Sequence, residues 1–325
     1  MAAFGCALAV VAIFVKGALP FPEVTNKGSK LRHFAAKRDE FDVLFVGSSQ
    51  FFHQIVPGQF DREVGAKSGH KSRSFNFGVP GMWPPESLHL LREVLDLQPA
   101  HLRWVVIELM DIDQRVSEAS GATRRMVLWH DWRHTAMVLD RIAEQPGDFW
   151  KQHGARGAHL ALWARRSVNH GQGSEFIIGK MRKNNFGRLK NNDWVKESGY
   201  FPGNSTSLAG PPMDDYLAQL AKLKAGPPPP PMGPALASAV REIGAAVRAA
   251  GATPIFVQCP TVDPRMRFSE SVGGPEIWSL NDPTRFPELF DPAVRYDAIH
   301  LTPNGAVLFT HLLAERFTER LAARP

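Results

Sequence analysis

The chain has 325 residues, 44% of them hydrophobic and 22% charged, which is enough apolar material for a large core and makes disorder not the default reading. Its 38 Lys and Arg against 32 Asp and Glu give a formal charge of +6, scattered along the sequence with acids among the bases. With no helix-turn-helix, zinc or RNA-binding signature, that balance fits solubility or a polar polymer surface and does not call for nucleic acid. The two cysteines, Cys6 and Cys259, are too few for a disulfide framework or a zinc site.

The first element is an uninterrupted apolar run, residues 2–15, followed by Lys16 and closed by Pro20 and Pro22. It is short for a membrane span, and the basic flank of a signal peptide is missing; a core strand or helix is the bland reading. The expectation taken here is an N-terminal anchor or signal segment over 1–22, with the rest of the chain outside the cytoplasm. A polar stretch, 23–40, then leads to the first strand.

Residues 41–46 read as a short buried strand ending in Gly47-Ser48-Ser49, where glycine lets the chain turn sharply. A polar connection leads to a second strand at 74–77. Asn76-Phe77-Gly78-Val79-Pro80-Gly81 then reads as a loop rich in turn formers, and Pro84 and Pro85 open a helix over 86–97. Residues 103–109, RWVVIEL, form a third strand, apolar enough to be buried on both faces of a parallel sheet. Together these make the first part of an α/β domain, 23–112.

The pattern changes over 113–225, which reads as a largely helical insertion with amphipathic stretches at 133–144 and 155–168. Within it, 176–196 carries six Lys and Arg against the single acid Asp193, either a solvated loop or a surface for an anionic polymer. His130, Asp131 and His134 have the residue types of a metal cluster but no convincing further ligand. The proline run 226–234 is an extended connector, since it can be neither helix nor central strand. The α/β alternation then resumes over 235–325, with a helix at 235–250, a strand at 254–259 and a last helix N-capped by Thr302 with Pro303 at its first position.

Two short motifs carry chemistry. A serine hydroxyl is a poor nucleophile unless an imidazole takes its proton, and the imidazole needs a carboxylate to fix its tautomer. Ser49 after the first strand, with Asp297 and His300 in Asp297-Ala298-Ile299-His300, supplies those three groups. Each has a plainer reading: Ser49 as a helix cap, Asp297 as a turn former, His300 as a surface histidine, Gly81 as a turn glycine beside Pro80, and Asn76 as a turn residue. Their joint occurrence in this order favours the triad.

These motifs resemble those of the SGNH or GDSL hydrolase superfamily. Gly47-Ser48-Ser49 is similar to the first family block, with Ser48 where Asp is commonest. Asn76 to Gly81 is similar to the second, and Asp297 to Gly305 matches the last closely. The resemblance implies a three-layer α/β/α sandwich with a mostly parallel, flavodoxin-like sheet. It implies Ser49, His300 and Asp297 as the triad, and backbone N–H groups of Ser49 and Gly81 as the oxyanion hole, with no cofactor and no metal.

The third block departs from the family. Glu108-Leu109-Met110-Asp111 stands where an Asn would donate to the oxyanion, and loss of one such donor costs about 2.7–4 kcal/mol. Glu108 and Asp111 read as supports of the loop. The Gly-Ser-Ser form, the tether and the insertion resemble the branch that works beside membrane-bound O-acyltransferases on exported polysaccharides or cell-envelope glycans. The function implied is an extracytoplasmic esterase or O-acyltransferase; a lipase-like small-ester hydrolase and a non-catalytic binding or assembly protein are the alternatives.

Overall fold

The computed structural model describes residues 27–114, 123–167, 193–269 and 274–323, with isolated positions at 7, 10, 11, 14 and 116. The expected anchor over 1–22 lies outside the described residues save for four of those isolated positions, and so does the basic tract from 176 to 192. Among the described residues no helix is long and apolar enough to cross a membrane.

The protein is an α/β fold. Strands β1 (Val43–Gly47), β2 (Ser74–Gly78), β3 (Trp104–Glu108), β4 (Thr253–Gln258) and β5 (Ile277–Ser279) form one all-parallel sheet in the order β2-β1-β3-β4-β5. Burial of almost every residue in β1 to β4 explains the continuous apolar text of these strands: a parallel sheet is covered on both faces. Side chains alternate across it, and Val43, Phe45, Val106 and Val257 meet Phe309 and Phe317 on one face.

The helices around the sheet are α1 (Lys27–Lys37), α2 (Ser49–Gln54), α3 (Pro57–Ser68) and α4 (Glu86–Leu95). After an excursion described below come α8 (Asp193–Lys196), α9 (Pro211–Ala225), α10 (Pro234–Ala249) and α11 (Pro303–Ala322). Helix α11 packs along α3 and α2. It starts as its sequence dictates: Thr302 is extended at ψ 168°, its hydroxyl accepts from the Gly305 amide, and Pro303 follows. Helices α1, α2 and α3 lie in text the sequence left as polar connections, α9 lies in the segment read as a largely helical insertion but outside its two named stretches, and the three-residue β5 was not anticipated.

The chain divides into two compact units. One comprises 30–111, 192–233 and 237–325 and contains the whole sheet; the other comprises 1–29, 112–191 and 234–236. Of the segment read as an insertion, 192–225 therefore packs with the sheet. The second unit contains α5 (Arg124–Trp129), α6 (Trp132–Glu144) and α7 (Phe149–Ser167), with α7 packed on the other two. Helix α6 begins where Asp131 caps the His134 amide, and α7 begins six residues before the amphipathic stretch read from sequence.

Candidate active site

In a doubly wound sheet with this order, loops at the carboxyl ends of β1 and β3 diverge and leave a crevice. Ser49 sits there, as the first residue of α2. The turn that presents it is built by Ser48, whose hydroxyl accepts from the Gln50 amide and caps the helix. A Cβ on Gly47 would meet the Glu108 carboxylate and the Phe51 ring, so only glycine fits between β1 and this turn.

The Ser49 hydroxyl lies 2.7 Å from His300 Nε2, and His300 Nδ1 lies 2.8 Å from Asp297 Oδ2. The carboxylate can only accept at Nδ1, which puts the imidazole proton there and leaves Nε2 to accept from Ser49. The other Asp297 oxygen accepts from the amides of Ile299 and His300 at 2.8 and 2.7 Å. Burial pushes the Asp297 carboxyl up, but the His300 and amide hydrogen bonds outweigh it and hold the group below the ordinary carboxylate value. The three residues expected to work together are thus joined by hydrogen bonds.

Their loop is fixed from both sides. The Ile299 carbonyl accepts from Gln50 Nε2 at 2.8 Å and Gln54 Nε2 at 3.1 Å, which latches the loop onto α2. Beneath it the guanidinium of Arg295, fully buried, donates to the carbonyls of Leu289, Pro260, Ala298 and Asp297. The Tyr296 ring lies parallel to the His300 ring at 5.3 Å, and the His53 ring meets His300 edge-on at 6.1 Å. His53 in turn donates from Nδ1 to the Phe201 carbonyl, and Phe201 stacks on Phe52. The 199–208 segment therefore borders the site.

Gly81 occupies the turn after β2. Met82 donates to the Val79 carbonyl at 3.1 Å, Pro80 precedes it, and Gly81 has φ 66°, as the third residue of a type II turn requires. Val79 donates to Gly47 O at 3.0 Å, which ties this turn to the end of β1 beside Ser48. The carbonyls of Asn76 and Gly78 before this turn, and that of Gly199, are held by Lys30, whose buried ammonium donates to them at 2.7–2.9 Å. Burial lowers the Lys30 amine well below its ordinary value.

The Asn76 side chain is committed to structure: its amide donates to the carbonyls of Phe51 and Ile55, and its oxygen accepts from Gly78 N. At the third block the chain continues pairing past β3, Leu109 N donating to Val257 O at 2.8 Å, with Leu109 and Met110 buried. Glu108 points at the turn that presents Ser49, accepting from the Ser48 amide and the Ser48 hydroxyl. No side-chain amide from this block replaces the absent Asn.

Burial lifts the Glu108 carboxyl to about 7, against the hydrogen bonds from Ser48 and Phe51. Between its ordinary 4.5 and 7 the folded protein holds the proton more tightly than the unfolded chain, so this group makes stability fall as pH rises through that window. The expected loss is about 3 kcal/mol. In Glu108→Gln an oxygen still accepts from Ser48 but the side chain no longer ionises; urea unfolding at pH 5 and pH 8 should show a steeper decline in the wild type than in the variant, which keeps only the part shared by both from Asp61, a carboxyl that burial raises to about 6. A difference independent of pH would remove this account.

His130, Asp131 and His134 do not converge. The His130 ring stacks on Trp129 and bonds His159 at 3.0 Å, whereas His134 turns back to Asp131 at 2.8 Å. Among the described residues no group of three or more His, Cys, Asp or Glu is arranged to hold a metal ion. Asp111, read with Glu108 as a loop support, follows the buried Met110.

Sequence reasoning overlooked Lys30, His53, Phe201, Tyr296 and Arg295. Only Arg295 carried a signal, a charged residue two positions before the motif aspartate. No protein-family model matches the chain, and a search of curated proteins returns no match.

Proposed function

We propose that this protein is a serine-dependent esterase or O-acyltransferase of SGNH type, with Ser49 as nucleophile, His300 as general base and Asp297 as its orienting carboxylate. The relay of 2.7 and 2.8 Å hydrogen bonds from Ser49 through His300 to Asp297 is the observation that carries this reading. Ser49 Oγ attacks the ester carbonyl carbon while its proton passes to His300 Nε2. The carbonyl oxygen takes the charge, with the backbone N–H groups of Ser49 and Gly81 as its proposed donors. The alcohol leaves with the proton from Nε2, and an acyl group remains on Ser49. A sugar hydroxyl or water, deprotonated by His300, then attacks that acyl ester, and Ser49 recovers its proton.

The proposed substrate is an O-acyl ester, most simply acetyl, on an extracytoplasmic polysaccharide or cell-envelope glycan. Support for that setting comes from the apolar run at 2–15, read as a membrane tether, and from the likeness to proteins that work beside membrane-bound O-acyltransferases. One observation favours a second reading, a non-catalytic binding or assembly role: no Asn side chain from the third block reaches the oxyanion position.

Covalent labelling decides between the two. A fluorophosphonate probe should modify wild-type protein at Ser49 and leave Ser49→Ala untouched. Absence of label in folded wild type would overturn the catalytic reading. Release of acetate from p-nitrophenyl acetate, set against transfer to an oligosaccharide acceptor, then separates esterase from acyltransferase.

A further inference from the structure

Ser49 and His53 are one turn apart on α2, so their side chains leave the helix on the same side. The His53 ring is half-buried and meets the His300 ring edge-on at 84°, with centroids 6.1 Å apart. Nothing in the relay from Ser49 to Asp297 uses it. Its Nδ1 lies 2.9 Å from the Phe201 carbonyl, which can only accept, so the proton of the neutral ring sits there. Burial lowers the ring's affinity for a second proton, against the opposing effect of that hydrogen bond, and the ring is neutral at neutral pH. Nε2 is therefore a bare acceptor. Among the described residues it has no hydrogen-bond partner, and it is not sealed from solvent.

An open lone pair beside the relay calls for a donor. The hydroxyl that reacts has a single proton, and His300 takes it, so a donor to His53 must be another group of the same substrate. A sugar ring carries hydroxyls on adjacent carbons, whereas a simple alcohol has no second one. Phe201, 37% exposed and edge-on to His53 at 6.3 Å, sets an apolar ring beside that acceptor for the C–H face of such a molecule.

We propose that His53 is a specificity-determining residue: its Nε2 accepts from the hydroxyl next to the one that bears or receives the acyl group, which selects vicinal polyols over simple alcohols. The inference rests on the reaction proposed for Ser49 and names the class of alcohol that reaction serves.

The test compares hydrolysis of 2-hydroxyethyl acetate with that of 2-methoxyethyl acetate, in which a methyl group replaces the donor hydrogen. Wild-type kcat/KM should favour the hydroxy ester about tenfold. His53→Asn puts an amide N–H near the place of Nδ1, keeping the Phe201 hydrogen bond but losing the acceptor, and the preference should vanish. His53→Gln puts an oxygen near the place of Nε2 without the Phe201 bond, and most of the preference should remain. The opposite ranking, preference kept in His53→Asn and lost in His53→Gln, would mean that His53 only tethers the segment containing Phe201, and would overturn the proposal. A wild type that takes the fluorophosphonate at Ser49 but shows no preference would overturn this inference alone. One that neither labels nor hydrolyses either ester would overturn the Ser49 reading with it.

Discussion

Ser49→Ala is expected to lower acetyl-ester hydrolysis about 10⁵- to 10⁶-fold, because every step of the relay begins at that oxygen. Stability should move by less than about 0.5 kcal/mol, since the residue is half-buried and its hydroxyl bonds only the His300 ring. The companion variant Asp297→Asn tests the geometry more sharply. In the wild type one carboxylate oxygen is occupied by the amides of Ile299 and His300. The Asn oxygen must stay there, which turns its NH₂ group toward His300 Nδ1. The imidazole then carries its proton at Nε2, facing Ser49, and cannot accept. A loss of about 10⁴-fold follows, with the fold intact. Steady-state rates beside thermal unfolding check both variants, and retention of full activity by Ser49→Ala would remove the mechanism.

Arg295→Ala is expected to be the most damaging change to stability outside the apolar core, at about 4 kcal/mol or more. The side chain is wholly buried, and burial lowers its ordinary value, but its guanidinium stays charged and supplies the carbonyls of Leu289, Pro260 and Ala298. Truncation strands those oxygens without water and leaves a void against the Tyr216 and Phe290 rings. Arg295→Met fills the void but not the hydrogen bonds, so it should recover only the packing part. Urea midpoints rank the three proteins. Fluorophosphonate labelling should slow in the same order, because the residues that follow Arg295 include Asp297 and His300. A Met variant as stable as wild type would mean that volume, not hydrogen bonding, is what Arg295 provides.

The sequence was most readable where one physical demand dominates. Strands β1, β3 and β4 must be apolar on both faces, and the reading of each strand came within two residues of its observed bounds. Caps were legible for the same reason, as at Thr302 and Pro303. Ser49, Asp297 and His300, the proposed triad, were legible because the chemistry proposed for them restricts them to few side-chain types. Elements whose stability is tertiary were not: β5 is three residues long, and α3 contains two glycines and a mixed polar face. Nor does sequence mark a charge as buried. Lys30, Glu108 and Arg295 look like surface residues until the carbonyls and amides that satisfy them are seen.

Ser49 and His300, the proposed nucleophile and base, are 251 residues apart, joined only when α11 and the loop before it have come back to α2. During synthesis Ser49 is therefore made 251 residues before His300. Until that return it is an ordinary alcohol, whatever esters surround it. Closing so long a loop is entropically slow but adds little to its final cost. A chain that had folded only its first strands would present a shaped turn without the imidazole, so the proposed reaction waits on completion of the sheet unit.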